Sequence, residues 1–87
     1  MKLYREIEKI FLTIEKEFTD ENLQEFKNTR ISDLCLYHYG LGSWIRNNLL
    51  CPDNNLYKLF IENGIECTDE MSSCIIKLFH YYESNKI

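Results

Sequence analysis

Gly40-Leu41-Gly42-Ser43-Trp44-Ile45-Arg46-Asn47-Asn48 lies in the most apolar region of the chain, and its reading decides the fold. Around it, Leu34, Leu36, Tyr37, Tyr39, Leu41, Trp44, Ile45, Leu49 and Leu50 point in most directions about a helical axis. A helix apolar on every side is buried in the middle of its domain, so the spacing predicts a central helix from Leu34 to Leu50. Each of the two glycines inside it costs about 1 kcal/mol relative to alanine. Either a neighbouring helix approaches closely over Gly40 and Gly42, or the helix bends there. Trp44, Ile45 and Leu49 resume helical spacing at once, which favours close approach. Ser32 is a good cap for the start, and Cys51-Pro52-Asp53 ends the element because proline cannot continue the hydrogen-bond ladder.

Outward from this segment the chain reads as helices throughout. Leu3, Ile7, Ile10, Ile14 and Phe18, with Tyr4 and Phe11 beside them, form the stripe of an amphipathic helix from about Lys2 to Phe18. Thr19 or Asp20 caps a short helix to Lys27, which buries Leu23 and Phe26. Past the proline, Asp53 or Asn54 caps a helix with Leu56, Tyr57, Leu59 and Phe60 on its buried face, and Asn63-Gly64 stops it. Thr68 caps a last helix, with Asp69 and Glu70 opposing its dipole and Met71, Ile75, Leu78, Phe79 and Tyr82 on its apolar side. Three glycines and one proline in 87 residues leave too few turns for an all-β domain. The prediction is one all-α domain over residues 1–87: a compact bundle of four main helices plus one short helix around a central buried helix.

Charge narrows the function. The formal net charge is -4. Glu15, Glu17, Asp20, Glu21 and Glu25 crowd one segment against Lys16 alone, and Glu62, Glu66, Asp69 and Glu70 form a second acidic group. No basic stripe exists to meet phosphates, which argues against nucleic acid as a partner. Acidic faces suit a basic protein partner, or else they are solvated, solubilising helix surfaces. Leu34 to Cys51 is interrupted by His38, Arg46, Asn47 and Asn48, so it is no membrane span, and the start of the chain carries no apolar leader. The expected location is cytoplasmic. There the four cysteines, at positions 35, 51, 67 and 74, are expected as free thiols acting as small hydrophobes. Cys35 and His38 are one helical turn apart and supply only half of a zinc site. No nucleophile elbow, phosphate-binding glycine loop or paired-histidine motif is present, so no enzyme activity, metal or cofactor is expected.

Arg46 needs a partner, since a guanidinium in an apolar helix must reach a carboxylate or an edge. The favoured reading is a structural ion pair with Asp69 or Glu70 at the start of the last helix; the alternative is an anchor for a bound protein. His38 and His80 read as partly exposed helix residues, and Trp44 as core.

The stretch Tyr37-His38-Tyr39-Gly40-Leu41-Gly42, continuing through Trp44-Ile45-Arg46-Asn47-Asn48, resembles the signature of a family of small uncharacterised bacterial domains. Gly64-Ile65 and Asp69-Glu70-Met71-Ser72 resemble the later part of that signature, an Asp-Asp-Met-Ser helix start. Thr68 stands where the family commonly has proline, and Glu70 replaces its second aspartate. The resemblance implies a shared fold and no particular activity. It also implies that Arg46 and the acidic helix start belong to one structural motif.

The function expected from these features is a small acidic module that neutralises a basic partner, as an immunity protein or antitoxin does, by covering its working surface. Glu15, Glu17, Asp20, Glu21, Glu25, Glu62 and Glu66 are the candidate contacts. A composition rich in Asn, Ile and Lys, of the kind carried on mobile bacterial genes, points the same way. The alternative is a structural or regulatory scaffold that forms a homodimer through the Leu3, Ile7, Ile10, Ile14 register, which is close to a coiled-coil seam.

Overall fold

The computed structural model describes residues 2–86. It contains α1 (Lys2–Lys9), α2 (Phe11–Glu15), α3 (Asp20–Lys27), α4 (Ser43–Leu49), α5 (Asn55–Glu62) and α6 (Thr68–Ser84). A 3-10 segment over Ile31–Tyr37 and a π-helical turn over His38–Gly42 lead directly into α4. There is no strand among the described residues, and the fold is all-α. Taking α1 with α2, and the Ile31–Leu49 run as one irregular helix, the plan is four main helices and the short α3. Among the described residues no helix is long and apolar enough to cross a membrane.

The first predicted helix breaks at Ile10, whose N–H bonds to Ile7 O at 3.1 Å instead of one residue further back. Both Ile10 and Phe11 fit the stripe, and the larger side chain takes the core position. Phe11 is buried against Phe79 and Tyr82, at centroid distances of 5.7 and 4.7 Å, while Ile10 stays half-buried. Leu3, Ile7, Phe11 and Ile14 are all buried within the chain. Of the register proposed for a homodimer, Leu3, Ile7 and Ile14 are thus used internally, and Ile10 is half-buried against the core.

The element on which α3, α4 and the 31–42 winding all pack is α6, not the Leu34–Leu50 segment. On α6, Met71, Ser72, Ile75, Ile76, Phe79, His80 and Glu83 are buried along one broad face, while Glu70, Lys77, Tyr81 and Ser84 on the opposite face are exposed. In the 31–50 region only Leu34, Gly42, Ile45 and Leu50 are buried, while Leu36 is 76% and Tyr39 86% exposed. The apolar scatter predicted there belongs to a chain that changes its winding twice, so residues spaced for a regular helix do not share its faces. Phe79 anchors the centre, with Phe26 at 5.4 Å and Phe18 at 6.0 Å between ring centroids.

Local chemistry explains the ends of the elements. Thr19 caps α3, its hydroxyl accepting from the Asn22 N–H at 3.1 Å, and Asn54 caps α5, its Oδ1 accepting from the Leu56 N–H at 2.7 Å. Gly64 has φ +86°, the left-handed conformation that stops α5. The Ile65 N–H then reaches Phe60 O at 2.9 Å and the Gly64 N–H reaches Ile61 O at 3.0 Å, and Ile65 packs back on the core. At α6 the cap position is Cys67, without a side-chain bond, and Thr68 is the first helical residue. Asp69 and Glu70 fall in the first turn as predicted.

Three further readings are corrected. His80 is buried, its Nε2 2.9 Å from Thr29 O and its ring edge-on to Phe26 at 5.3 Å. Because a carbonyl only accepts, Nε2 carries the proton, and the bond ties α6 to the turn after α3. The cysteines are free thiols, but Cys35, Cys51 and Cys67 are exposed and Cys74 is only half-buried, so most are not core hydrophobes. Trp44 is half-buried, packed on the core with one side left open.

Candidate functional site: an acidic groove floored by aromatic rings

Where the 31–49 segment passes α3, it leaves a surface groove of about 450 Å³. Glu17 and Phe18 enter it from the turn after α2, and Asn22 and Glu25 from one face of α3. Tyr37, Gly40, Leu41 and Trp44 form the facing wall. Asn22 and Glu25 are three apart and so neighbours on the helix surface.

The floor is held from beneath. Phe18 lies 5.4 Å from Phe26, and Tyr37 meets Phe26 edge-on at 4.9 Å. The Tyr37 hydroxyl is 3.5 Å from Thr29 Oγ1, which in turn donates to Glu25 O at 2.8 Å. Trp44 sits one residue before the buried Ile45, and its carbonyl accepts from Asn48 Nδ2 at 2.9 Å. The carboxylates of Glu17 and Glu25 are exposed, and among the described residues neither has an ion-pair partner.

Behind the wall, Arg46 braces the segment against α6. Its NH1 donates to Ser72 Oγ at 2.8 Å, its NH2 to His38 O at 3.2 Å, and its Nε lies 3.6 Å from Asp69 Oδ1. Ser72 Oγ is turned by its own bond to Asp69 O at 3.0 Å. The pairing with the start of the last helix is thus with Asp69, and Glu70 takes no part in it. Gly42 makes room for the brace: a β-carbon there would lie 3.0 Å from Arg46 NH1 and 3.7 Å from Ile76 Cδ1. Gly40 is different, since a β-carbon there would meet nothing within 4 Å. Close approach therefore explains one glycine and not the other.

The remaining acidic candidates scatter. Glu15 is engaged inside the chain, 2.7 Å from Lys86 Nζ and beside the carboxyl of Glu83. Glu83 is 1% exposed, and its Oε2 has no hydrogen-bond partner and only a 3.5 Å approach from Lys86. Burial, reinforced by the Glu15 carboxylate, raises the Glu83 pKa, while a hydrogen bond from Glu83 and then the Lys86 ammonium lower that of Glu15. The two carboxyls are thus pushed in opposite directions, Glu83 toward its neutral form and Glu15 toward its charged one. Asp20 and Glu21 are exposed in the first turn of α3, where they oppose its dipole, and neither lines the groove. Glu62 and Glu66 are exposed at and beyond the end of α5, and neither of them lines the groove either. Of the seven predicted contacts the fold brings only Glu17 and Glu25 into one site.

A second groove of about 360 Å³ lies between the 3-10 segment and α6, with Cys35, His38 and Lys77 among its lining residues. The Cys35 thiol donates to Ser32 O at 3.7 Å. Among the described residues no group of three or more side chains is placed to hold a metal ion.

Fold and site together define a small all-α domain with an acidic, aromatic-floored surface groove. The family described as a domain of unknown function (DUF6794) matches residues 5–83, and the chain belongs to that family. No curated protein and no solved structure matches the chain.

Proposed function

We propose that this domain is a protein-binding module that captures a basic partner and covers its working surface, in the manner of an immunity protein or antitoxin. One observation carries the reading: two unpaired carboxylates stand over a groove whose floor and wall are aromatic and fixed by the core. Carboxylates without internal partners attract a cation, and aromatic faces add to that attraction where water is partly excluded. The same charges repel phosphate, which supports a protein rather than a nucleic acid as the partner. Aromatic residues surrounded by a polar rim are also the composition of interface centres.

The test is co-expression with the product of the adjacent gene, read by growth and by size-exclusion chromatography. A stoichiometric complex that relieves toxicity and weakens as salt rises supports the reading. A neighbouring product that stays free of this domain, with growth unchanged, refutes it.

A further inference from the structure

We propose that the groove is built for one guanidinium: a single arginine side chain of the partner enters it, lies along the bare backbone at Gly40, stacks on Trp44 and is held by Glu17 and Glu25. This rests on the reading of the domain as a binder of basic proteins, and it names the part of the partner that is recognised.

Gly40 is the observation that leads here. A glycine in a helical segment costs about 1 kcal/mol relative to alanine, so its presence needs a reason. Conformation does not supply one, because the positive-φ glycine of this chain is Gly64. Packing does not supply one, because a β-carbon at position 40 would meet nothing within 4 Å. What position 40 does is line the groove. A residue without a side chain at the wall of an open groove lets another chain approach the backbone closely.

The other walls say what approaches. Glu17 and Glu25 supply negative charge that nothing within the described chain neutralises. A lysine ammonium would satisfy that charge as a strongly hydrated point. A guanidinium also uses the rings: it is planar, sheds water more easily, stacks on indole and phenol faces, and presents a fork of N–H donors to carboxylates. Trp44 and Tyr37 give it flat surfaces, and about 450 Å³ admits one long side chain with its flanking backbone.

Trp44 is the one tryptophan of the chain, so its fluorescence reports occupancy of the groove directly. The probes are hexa-arginine, hexa-lysine and hexa-citrulline, titrated at low ionic strength where charges at this separation are not screened. Hexa-arginine should shift the Trp44 emission saturably, hexa-lysine should bind several-fold more weakly, and hexa-citrulline should leave the emission unchanged. Gly40→Leu, and separately the pair Glu17→Gln with Glu25→Gln, should each weaken hexa-arginine by about tenfold or more, the scale of an interface hot spot. Gly40→Ala controls for folding, since it should unfold no earlier than the parent chain. Glu62→Gln with Glu66→Gln should change the affinity by less than about twofold, as rim charges outside a contact do. Equal binding of hexa-lysine overturns the preference for guanidinium. Hexa-arginine binding that ignores Gly40→Leu, or that Glu62→Gln with Glu66→Gln weakens just as much, overturns the groove and leaves the basic-partner reading standing. If none of the cationic peptides binds at low salt, both readings fall.

Discussion

Replacing Gly42 by alanine tests the brace between the 31–49 segment and α6, because its sign depends on one neighbouring side chain. The added β-carbon would lie 3.0 Å from Arg46 NH1, 3.5 Å from Tyr37 O and 3.7 Å from Ile76 Cδ1. The last two are ordinary contacts, so the whole conflict is with the guanidinium. That group is the end of a flexible side chain, but it is pinned by Ser72 Oγ at 2.8 Å and His38 O at 3.2 Å. The ion pair with Asp69, 3.6 Å long and with a carboxylate 63% exposed, adds little beyond about 1 kcal/mol. Displacing NH1 loses a hydrogen bond from a charged donor, worth about 1.5–3 kcal/mol. Against this, alanine at a helical position gains about 1 kcal/mol over glycine. The lost bond wins, and Gly42→Ala should destabilise the domain by about 1 kcal/mol, lowering Tm by roughly 4–8 °C in a chain of this size. In an Arg46→Met background the conflict is gone and only the helical gain remains, so the same alanine should stabilise by about 1 kcal/mol. The coupling is then about 2 kcal/mol, well above the roughly 0.5 kcal/mol within which independent sites add. Urea unfolding of the four proteins, followed by far-UV circular dichroism, measures it. If Gly42→Ala changes stability equally in both backgrounds, Arg46 does not occupy the space that the glycine leaves, and the brace is misread.

Two more predictions concern stability away from the groove. Glu83 has its pKa raised, so its contribution is fully present below the ordinary carboxylate pKa and is lost as pH rises through the raised value. Glu15, with its pKa lowered, contributes in the opposite sense and loses its share only as pH falls through the lowered value. Glu83→Gln puts a neutral side chain beside Glu15, so the variant should melt higher than the parent at pH 8, with the gap closing toward pH 4; a parallel offset at both pH values would exclude a raised Glu83 pKa. Gly64→Ala forces a side chain into φ +86° at the end of α5 and should cost about 1–2 kcal/mol by urea unfolding, since left-handed backbone is strained for residues with a β-carbon; an unchanged midpoint would mean that the turn rearranges freely.

The parts of the fold legible in the sequence are those governed by neighbours along the chain. Thr19, Asn54 and Gly64 act through backbone groups a few residues away, so caps and stop can be read directly. The stripe of α1 and α2 was legible as a stripe, but two registers fit it, and only packing against Phe79 selects Phe11 over Ile10. The 3-10 and π winding of residues 31–42 has no local signature, because it answers to α6 and to the Arg46 brace. Charge clustering along the sequence misled in the same way. Glu15 lies two residues from Glu17, yet one is neutralised by Lys86, far along the chain, and the other faces the groove. The burial of Glu83 and Ser72 has no local signal, since a carboxylate near the end of a helix and a serine near its start look like surface residues until the fold buries them. That Arg46 pairs with the start of α6 was legible, but Asp69 and Glu70 fitted equally, and only the fold selects Asp69.

Gly40 and Gly42 look like one feature in the sequence and act as two. Residues two apart on a helix point about 200° apart, so both cannot serve the same contact. Gly42 turns inward, where Arg46 and Ile76 take the space of its side chain, and Gly40 turns outward to the groove, where the space stays empty. The unusual winding between them places these faces on the two sides of one short wall, with α6 behind and α3 in front. Arg46 reaches across and holds the carbonyl of His38, the first residue of the π-helical turn, which fixes the wall against the core. Departures from regular helix are tolerated where they position a site, and here the departure contains Tyr37, Gly40 and Leu41 of the groove wall. The two glycines should therefore separate cleanly: alanine at 42 acts on folding through Arg46, while a larger side chain at 40 acts on binding with the fold intact.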